Sequence, residues 1–296
     1  MVSSEQKKLL VIIDSNSIVH RAYHALPPLT TKEGELVNAV YGFFSIFLKM
    51  TRELRPDFLA AAFDLPVPTF RHQAFPDYKA KRVKAPEEFY RQIPLIQKIL
   101  ADFNVPIFTQ EGLEADDVIA SLVVSARRSA PDLDIIMLSS DNDLLQLITD
   151  GIRALIIKKG VNETVLYDRA RVREKYEGLE PEQLVDFKAL RGDPSDNIPG
   201  VRGIGEKTAL KLLQQFHSLD NLYSVLGTKV SSIPALVRQK LENSRELAFT
   251  SQKLAQIRSD AVLEFSLADC RWGSYDRAKV VADFNQLQFN SLLARL

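Results

Sequence analysis

The sequence is poor in cysteine, in histidine and in net charge. Its 296 residues include one Cys and four His, and 38 Lys and Arg residues balance 38 Asp and Glu residues. A single cysteine excludes a disulfide framework and a Cys-rich zinc module, and it is typical of a reducing compartment. Zero net charge argues against a uniformly basic nucleic-acid binder, although it says nothing about local charge clusters.

Long hydrophobic runs are also missing from the start of the chain. The apolar run there, residues 9–13, ends at Asp14, and it is too short for a secretion signal or a membrane-spanning helix. We therefore expect a cytoplasmic protein that does not bind a membrane. The 46% apolar content is typical of globular proteins, and the length allows about two domains.

Five short apolar segments in the first half have the length and β-branched content of buried parallel strands. They are residues 8–14, 58–64, 105–110, 134–141 and 152–157. Stretches with helical periodicity separate them. This alternation predicts an α/β fold with a mostly parallel central sheet flanked by helices.

The strand pattern stops at about residue 169. Residues 181–192 open with Pro181 and close at Gly192, which are typical start and stop residues of a helix. The stretches that follow keep the helical period. We predict two units, an α/β core at 1–168 and a helical subdomain at 169–296.

Acidic residues collect where the predicted strands end. In an open α/β sheet the carboxyl ends of parallel strands face one crevice, so we expect these acids to converge there. Two further acids follow a predicted helix end in the second unit. The nine are Asp14, Asp64, Glu114, Asp116, Asp117, Asp141, Asp143, Asp193 and Asp196.

Such a cluster needs counter-charge, because unpaired carboxylates in a crevice repel one another. Lys and Arg are not interspersed with these acids in the sequence, so divalent cations are the expected compensation. Oxygen ligands suit Mg²⁺ or Mn²⁺, and nine acids exceed the needs of one ion, which indicates two. The alternative, that each acid only caps the following helix, explains one position better than four consecutive strand ends.

The segment 69–84 is basic and rich in aromatic residues. A solvated charged loop is the default interpretation of such a run. Beside an acidic metal site, however, cationic and stacking side chains suit single-stranded nucleic acid. After Pro86 the pattern predicts an amphipathic helix with a kink at Pro94. The basic residues are Arg71, Lys79, Lys81, Arg82 and Lys84, interleaved with Phe70, Phe75 and Tyr78.

A glycine-rich turn lies within residues 198–213. Its glycines, Gly200, Gly203 and Gly205, permit positive φ angles and close backbone approach. The helix that begins near Glu206 offers free N–H groups to an anion, and two lysines add positive charge. We expect a phosphate to bind there. The glycine spacing is not that of a dinucleotide or ATP site.

Three other residues are expected to be structural. His20 and His24 have the spacing of a metal-ligand pair, but no further His or Cys lies nearby in the sequence, so packing or a polar contact is predicted. Cys270 has no catalytic partner pattern and is expected to be structural.

Several motifs together resemble the 5′ nuclease domain of bacterial DNA polymerase I, a family related to the flap endonucleases. The resemblance spans nearly the entire chain. It implies a PIN-like fold with a helical arch over 69–93 and a helix-hairpin-helix at 198–213. The motifs are RAYHALPPLTT (21–31), FDLPVPTFRH (63–72), YKAKR (78–82), EADDVIASL (114–122), SSDNDLLQL (139–147), GDPSDNIPGVRGIGEKTA (192–209) and LQFNSLL (287–293).

The resemblance also implies an activity and roles for residues. It implies a metal-dependent 5′-3′ exonuclease or flap endonuclease of replication (primer removal) and repair, monomeric, acting on 5′ flaps and on nicked or branched DNA. The nine carboxylates would hold two ions, Mg²⁺ or Mn²⁺, and the hairpin carbonyls a K⁺. Lys79 and Arg82 would contact phosphate and stabilise charge in catalysis. The residues expected to contact DNA are Arg21, Arg71, Tyr78, Lys81, Lys84, Gly200, Gly203, Gly205, Lys207, Thr208 and Lys211.

Two positions depart from the family pattern. Ser15 follows the first acid where the family usually has Gly, and Asn142 stands where a Gly-Asp-Lys-Asp pattern has Lys. No carboxylate is lost, but Asn142 removes a positive charge beside the acids. Whether the chain acts alone or as part of a polymerase stays open at this point.

The predicted reaction is phosphodiester hydrolysis assisted by two metal ions, which leaves a 5′-phosphorylated fragment and a 3′-hydroxyl. One alternative is a DNA-junction-binding module without catalysis, although an acidic crevice would repel phosphate. A second alternative is a PIN-like ribonuclease. The arch-like segment and the hairpin favour DNA.

Overall fold

The computed structural model describes residues 7–226 and 233–296. Its centre is a six-stranded sheet with the order β3-β2-β1-β4-β5-β6. All neighbouring strands pair in parallel except β6, which is antiparallel to β5. The predicted mostly parallel α/β sheet is therefore confirmed. The strands are β1 Leu9–Asp14, β2 Phe58–Ala62, β3 Ile107–Phe108, β4 Asp134–Ser139, β5 Ile152–Lys159 and β6 Glu163–Tyr167.

Helices cover both faces of the sheet and build the second unit. None in the described ranges is long and apolar enough to cross a membrane. There are also two short 3₁₀ helices. Asp143–Leu147 lies between β4 and β5, and Pro181–Gln183 directly precedes α8. The α-helices are α1 Ser15–Ala25, α2 Asn38–Leu54, α3 Phe70–Ala74, α4 Glu87–Tyr90, α5 Gln92–Asp102, α6 Ala115–Ser129, α7 Arg169–Lys175, α8 Leu184–Arg191, α9 Glu206–Phe216, α10 Leu219–Leu226, α11 Ala235–Asn243, α12 Arg245–Ala255, α13 Arg277–Gln286 and α14 Asn290–Leu293.

The sheet is buried on both faces, which explains its uninterrupted apolar strands. Successive residues of a strand point to opposite sides. In β1, Val11 and Ile13 join a cluster with the phenylalanines of α2. Leu10 and Ile12 join a second cluster with α6. These two clusters hold the strand ends, and so the acids that follow them, in fixed positions.

The helical unit has its own core. Residues of α8, α9, α10 and α12, among them Phe187, Leu213 and Tyr223, form a separate buried cluster. The glycine-rich turn joins α8 to α9. This supports a second folding unit after the sheet, while the predicted boundary at residue 168 stays a prediction.

The chain then returns to the sheet, which the sequence pattern did not indicate. The amide of Leu59 in β2 donates to the carbonyl of Cys270 (2.7 Å), and the amide of Trp272 donates to the carbonyl of Asp57 (2.9 Å). Phe284 of α13 and Leu292 of α14 are buried in the cluster around α2. Residues 257–296 therefore pack on the α/β core, and Cys270 is buried there.

Two strands differ from the pattern. Residues 105–110 contribute only Ile107 and Phe108 to a strand, and β6 follows β5 where no strand is predicted. β6 lies at the sheet edge and is only half-buried, so it lacks the apolar run that marks a central strand.

The segment 69–93 is helical only in part. α3 is capped by Thr69 and His72, turns follow up to Lys81, and residues 83–86 have no regular structure. The helix predicted after Pro86 is broken between α4 and α5, because Pro94 has no N–H to donate to the preceding turn.

Candidate active site

The carboxyl ends of β1 and β2 and the start of α6 open onto one cavity of about 370 Å³. Five of the nine predicted acids line it, together with both predicted catalytic cations. The other four, Asp117, Asp143, Asp193 and Asp196, lie around it. The lining acids are Asp14, Asp64, Glu114, Asp116 and Asp141, and the cations are Lys79 and Arg82.

Asp14 is held at the end of β1 by two hydroxyl-bearing residues. Its carboxylate accepts from the Ser139 hydroxyl (2.5 Å) and from the Ser17 amide (3.3 Å), which caps α1. Burial, aided by the charge of Asp64, raises the pKa of Asp14 to about 6 despite these hydrogen bonds. Asp14 is therefore a buried carboxylate that has hydrogen bonds but no ion pair among the described residues.

Asp64 and Asp116 face Asp14 across the cavity. Asp64 accepts from the amide of Ala115 at the start of α6 (2.7 Å), and its own amide donates to Asn16 (3.0 Å). The Asp116 carboxylate has no hydrogen bond or ion pair with any residue in 7–226 or 233–296. Burial, and then the charges of Asp14 and Asp141, raise its pKa well above the usual value.

A buried ion pair holds the first turn of α6 in place. Asp117 is fully buried, and Arg71 donates to both of its carboxylate oxygens (2.7 and 2.8 Å). Asp117 also accepts from the amide of Glu114 (3.1 Å), the N-cap of the helix. Asp117 and Arg71 are thus engaged with each other in the free protein, and their roles as metal ligand and DNA contact stay predictions.

The basic segment docks onto the acids through three residues. Lys79 donates to Glu114 (2.8 Å), and Arg82 donates to Asp196 (2.7 Å). The Tyr78 hydroxyl lies 3.1 Å from both carboxylates. This segment therefore connects the start of α6 with the loop after α8.

Tyr78 was predicted to stack on a base, but the structure buries it. Only 3% of the residue is exposed, so its ring offers no open stacking surface. Burial and the two carboxylates raise its pKa, so the hydroxyl stays protonated and donates to them. Lys81 and Lys84, in contrast, are exposed, as DNA contacts require.

Lys188 was missed by the sequence analysis. It extends from α8 between two carboxylates, contacting Asp143 and lying 2.7 Å from Asp193. Burial alone would lower the pKa of Lys188, but the two carboxylates outweigh burial and raise it. Lys188, together with the Ser195 hydroxyl, in turn lowers the pKa of Asp193 to about 2 against the effect of burial.

These contacts correct the expectation that no basic residue neutralises the acids. Five of the nine carboxylates have a cationic partner. Except for Lys188 and Asp193, the partners are distant along the chain, so the sequence could not show these pairs. Among the described residues, the other four have no ion pair. The four are Asp14, Asp64, Asp116 and Asp141, and all of them line the cavity.

The four uncompensated carboxylates match the chemistry of a hard divalent cation. They offer only oxygen atoms. Burial first, and then the charges of Asp14 and Asp141, raise the pKa of Asp116, which is the direction expected for a carboxylate without a cationic partner. No three His, Cys, Asp or Glu side chains in the described ranges are already spaced as ligands of one ion. Holding an ion therefore requires the side chains to turn inward.

Serine and asparagine residues complete the cavity, and none of them was predicted. Ser17 donates to the carbonyl of Asp14 (3.1 Å) and lies 3.0 Å from the Ser139 hydroxyl. The sequence could have indicated Asn16 and Ser17, because they closely follow Asp14, the first acid. His20 also lines the cavity and packs on Phe89 at 4.3 Å between ring centres.

The glycine-rich turn has the expected close backbone approach at one pair of residues. Gly192 and Gly200 have φ angles of 80° and 63°, and a Cβ on Gly200 would lie 2.2 Å from the Gly192 nitrogen. Gly203 also has positive φ. Gly205 does not: its φ is −92°, and it is the N-cap of α9, so the expected left-handed backbone there is wrong.

The predicted phosphate contacts of the hairpin are accessible. Lys207 and Lys211 are exposed, and Thr208 is half-buried. The carbonyl of Gly203, where a K⁺ was expected, accepts a hydrogen bond from Lys240 (3.0 Å). Arg21 on α1 is half-buried, and its Nε has no hydrogen-bond partner within the described residues.

Family comparison covers nearly the whole chain. Residues 9–177 match the family described as 5′-3′ exonuclease, N-terminal resolvase-like domain, and residues 179–278 match 5′-3′ exonuclease, C-terminal SAM fold. DNA polymerase I of Bacillus subtilis (strain 168) is 42% identical over 98% of this chain and 32% of its own length. For DNA polymerase I of Bacillus caldotenax the identity is 44% with the same coverage. The chain thus spans about a third of these relatives.

Solved structures share the fold. A zinc-bound T5 5′-exonuclease superposes with a TM-score of 0.69 at 21% identity, covering 97% of this chain and 99% of that one. The catalytic core of Rad2 in complex with a DNA substrate gives a TM-score of 0.62 at 16% identity, covering 98% and 92%. At these identities the likeness extends to architecture alone.

Proposed function

Because the chain belongs to the 5′-3′ exonuclease family, we propose that it is a structure-specific 5′ nuclease, which hydrolyses phosphodiester bonds in 5′-flap and other 5′-ended branched DNA. The observation that carries this proposal is the cavity at the strand ends. It combines four carboxylates that have no cationic partner with two cations, Lys79 and Arg82, at its rim. We propose primer removal in replication and DNA repair as its setting, and a monomer as the active form.

The proposal includes dependence on divalent metal. Asp14, Asp64, Asp116 and Asp141 would hold Mg²⁺ or Mn²⁺, with Glu114 as a further ligand where Lys79 releases it. When bound, such ions lower the pKa of water and stabilise charge on a phosphate. The remaining acids keep their cationic partners and shape the site. A K⁺ at the hairpin would compete with Lys240 for the Gly203 carbonyl.

Lys79 and Arg82 would act directly on the phosphate. In the free protein they donate to Glu114 and Asp196, so the site holds their charges close to the cavity before substrate arrives. A guanidinium can bind phosphate as well as carboxylate through two parallel hydrogen bonds, and preorganised donors stabilise developing charge without reorganisation. The Tyr78 hydroxyl keeps the two acids in place, because its single hydrogen is shared between them in hydrogen bonds.

The helical unit would bind the duplex beside the cavity. No side chain caps the start of α9, although its first turn includes Glu206, and Lys207 and Lys211 are exposed nearby. A helix N-terminus with adjacent lysines favours a phosphate. Such contacts position the DNA without reading its sequence.

The decisive test is cleavage of an end-labelled 5′-flap duplex in Mg²⁺, in Mn²⁺ and in chelator. We expect cutting near the flap junction in either metal and none in chelator. Asp116→Asn should lower the cleavage rate by at least about a hundredfold, as loss of a group that organises transition-state charge typically does. Asp220→Asn, which removes an exposed acid on α10, is the matched control and should cut normally.

The two alternatives give different results in the same assay. A junction-binding module would retain the flap duplex in a gel without cutting it in any metal. A ribonuclease would cut an all-RNA flap substrate as fast as the DNA one. If Asp116→Asn cut the flap at the wild-type rate, the cavity would not be the catalytic site.

A further inference from the structure

Two lysines from separate elements converge beside the acidic cavity. Lys158 of β5 and Lys175 of α7 donate to the same atom, the side-chain oxygen of Asn142, at 3.0 and 2.8 Å. Because Lys can only donate, the amide must present its oxygen to both. Asn142 therefore holds two ammonium groups together in one place.

No acid neutralises this pair. Neither lysine forms an ion pair anywhere in the described ranges of the chain. The ammonium groups lie instead over the ring of Tyr167, at 5.0 Å for Lys158 and 5.3 Å for Lys175, and an aromatic face attracts cations only weakly. Two charges are thus brought together without an anionic partner.

Bringing the two ammonium groups together makes the protonated form of Lys175 less favourable. Loss of solvent around the ammonium group and the neighbouring charge of Lys158 lower the pKa of Lys175 to about 8, against the opposing charge of Asp141, although the residue as a whole is exposed. An anion that bound between the two ammonium groups would remove the repulsion. Each ammonium group has three N–H donors and uses one on Asn142, so donors remain for such an anion.

The position of the pair indicates which anion binds. Asn142 directly follows Asp141, which lines the cavity, and precedes Asp143, which contacts Lys188. A group held by the two lysines is therefore adjacent to the proposed cleavage site. The substrate of that site carries phosphates at regular spacing along its backbone.

We propose that Lys158, Lys175 and Asn142 form a phosphate-binding subsite for one backbone phosphodiester of the DNA substrate, next to the acidic cavity. This inference rests on the proposed nuclease function. The subsite binds substrate and does not take part in bond breaking. It also supplies, from β5 and α7, positive charge at the position where Asn142 replaces the lysine of the family pattern.

The test is the double variant Lys158→Ala with Lys175→Ala, and the probe is a fluorescein-labelled 5′-flap duplex. Binding is measured by anisotropy in chelator over a series of salt concentrations, and cleavage is measured in Mg²⁺. We expect Kd and KM to rise roughly tenfold, as loss of a charged hydrogen-bond contact predicts. The slope of log K against log salt should fall by about one, since one phosphate contact is lost. The kcat should change little.

Two further variants separate a binding role from a structural one. Lys159→Ala removes the next lysine along β5, which is exposed and has no contact with Asn142, and should leave Kd unchanged. Adding Asn142→Lys to the double variant returns a positive charge to the same place and should restore much of the affinity.

The outcomes distinguish this inference from the proposed function. If wild type cuts the flap and the double variant binds it as tightly as Lys159→Ala, the subsite is wrong and the nuclease assignment stands. The same holds if the double variant only melts at a lower temperature, because the lysines would then merely stabilise Asp141. A wild type that neither binds nor cuts the flap would overturn both.

Discussion

At the scale of single residues, Arg71 does more for the site than its place in a basic segment indicates. It is buried, it donates to both oxygens of Asp117, and it also donates to the carbonyls of Leu254 and Gln256 (both 2.9 Å). One side chain thus ties α3, α6 and the end of α12 together. The position of Glu114 in the cavity depends on this arrangement, because Asp117 accepts from its amide.

We predict that Arg71→Ala lowers the free energy of unfolding by about 3–5 kcal/mol, the usual cost of leaving one member of a buried ion pair unpartnered. The measurement is urea-induced unfolding followed by circular dichroism. Arg91→Ala is the matched control, because its pair with Glu87 is exposed on both sides and should contribute less than about 1 kcal/mol. Equal losses in the two variants would mean that water reaches the Arg71 pair.

The sequence revealed the acids of the site but not their partners. Each acid lies at the end of a strand or helix, and the hydrophobic pattern predicts where those elements end. Lys188 is 45 positions from Asp143, and Tyr78 is 118 positions from Asp196. Pairings over such distances depend on how the helical unit sits against the sheet, which local patterns do not specify.

At the scale of elements, the hairpin depends on two glycines in contact. A Cβ on Gly200 would meet the backbone of Gly192 at 2.2 Å, and backbone cannot move aside as a flexible side chain can. The same residue has a left-handed φ of 63°. Both features make glycine necessary here, and together they set how closely α8 and α9 approach.

We predict that Gly200→Ala lowers the free energy of unfolding by about 2–4 kcal/mol, from backbone strain and overpacking combined. It should also weaken duplex binding in an anisotropy assay. Gly205→Ala is the control, since its φ is ordinary and no atom lies within 4 Å of an added Cβ. Gly205→Ala should lower the free energy of unfolding by less than about 1 kcal/mol. A stable Gly200→Ala would show that the two helices can separate without loss.

Elements were predictable to different degrees for physical reasons. The central strands β1, β2, β4 and β5 are buried on both faces and so have apolar runs that periodicity detects. The edge strand β6 has no fully apolar run and is mostly half-buried, so its pattern is close to that of a loop. The break between α4 and α5 was predictable because proline removes a specific donor.

At the scale of the whole molecule, the buried carboxylates of the site link its stability to pH and to metal. Burial raises the pKa of Asp14 to about 6 and of Asp143 to about 7, in the latter case despite Lys188. A carboxyl whose pKa is raised in the folded state binds protons more tightly there, so stability increases as pH falls through that value. His20, whose pKa burial lowers, opposes this only below about its ordinary value of 6.5.

We therefore predict that in chelator the melting temperature rises from pH 8 to pH 6.5, by roughly 2–4 °C for each 1 kcal/mol gained. Saturating Mg²⁺ should raise the melting temperature at pH 8, because the ion binds only the folded state. It should also abolish the rise on acidification, because protons compete with the ion. Differential scanning calorimetry measures both. A melting temperature in chelator that falls over this range would contradict the charge imbalance.

The return of residues 257–296 to the sheet has a mechanical consequence. The helical unit leaves the α/β core near Gly178 and rejoins it near Gln256, so it is anchored at two points rather than suspended from one. Ion pairs such as Lys188 with Asp143 and Arg82 with Asp196 also join the two units. Moving the helical unit away from the core would therefore break these ion pairs and strain the chain at both attachments.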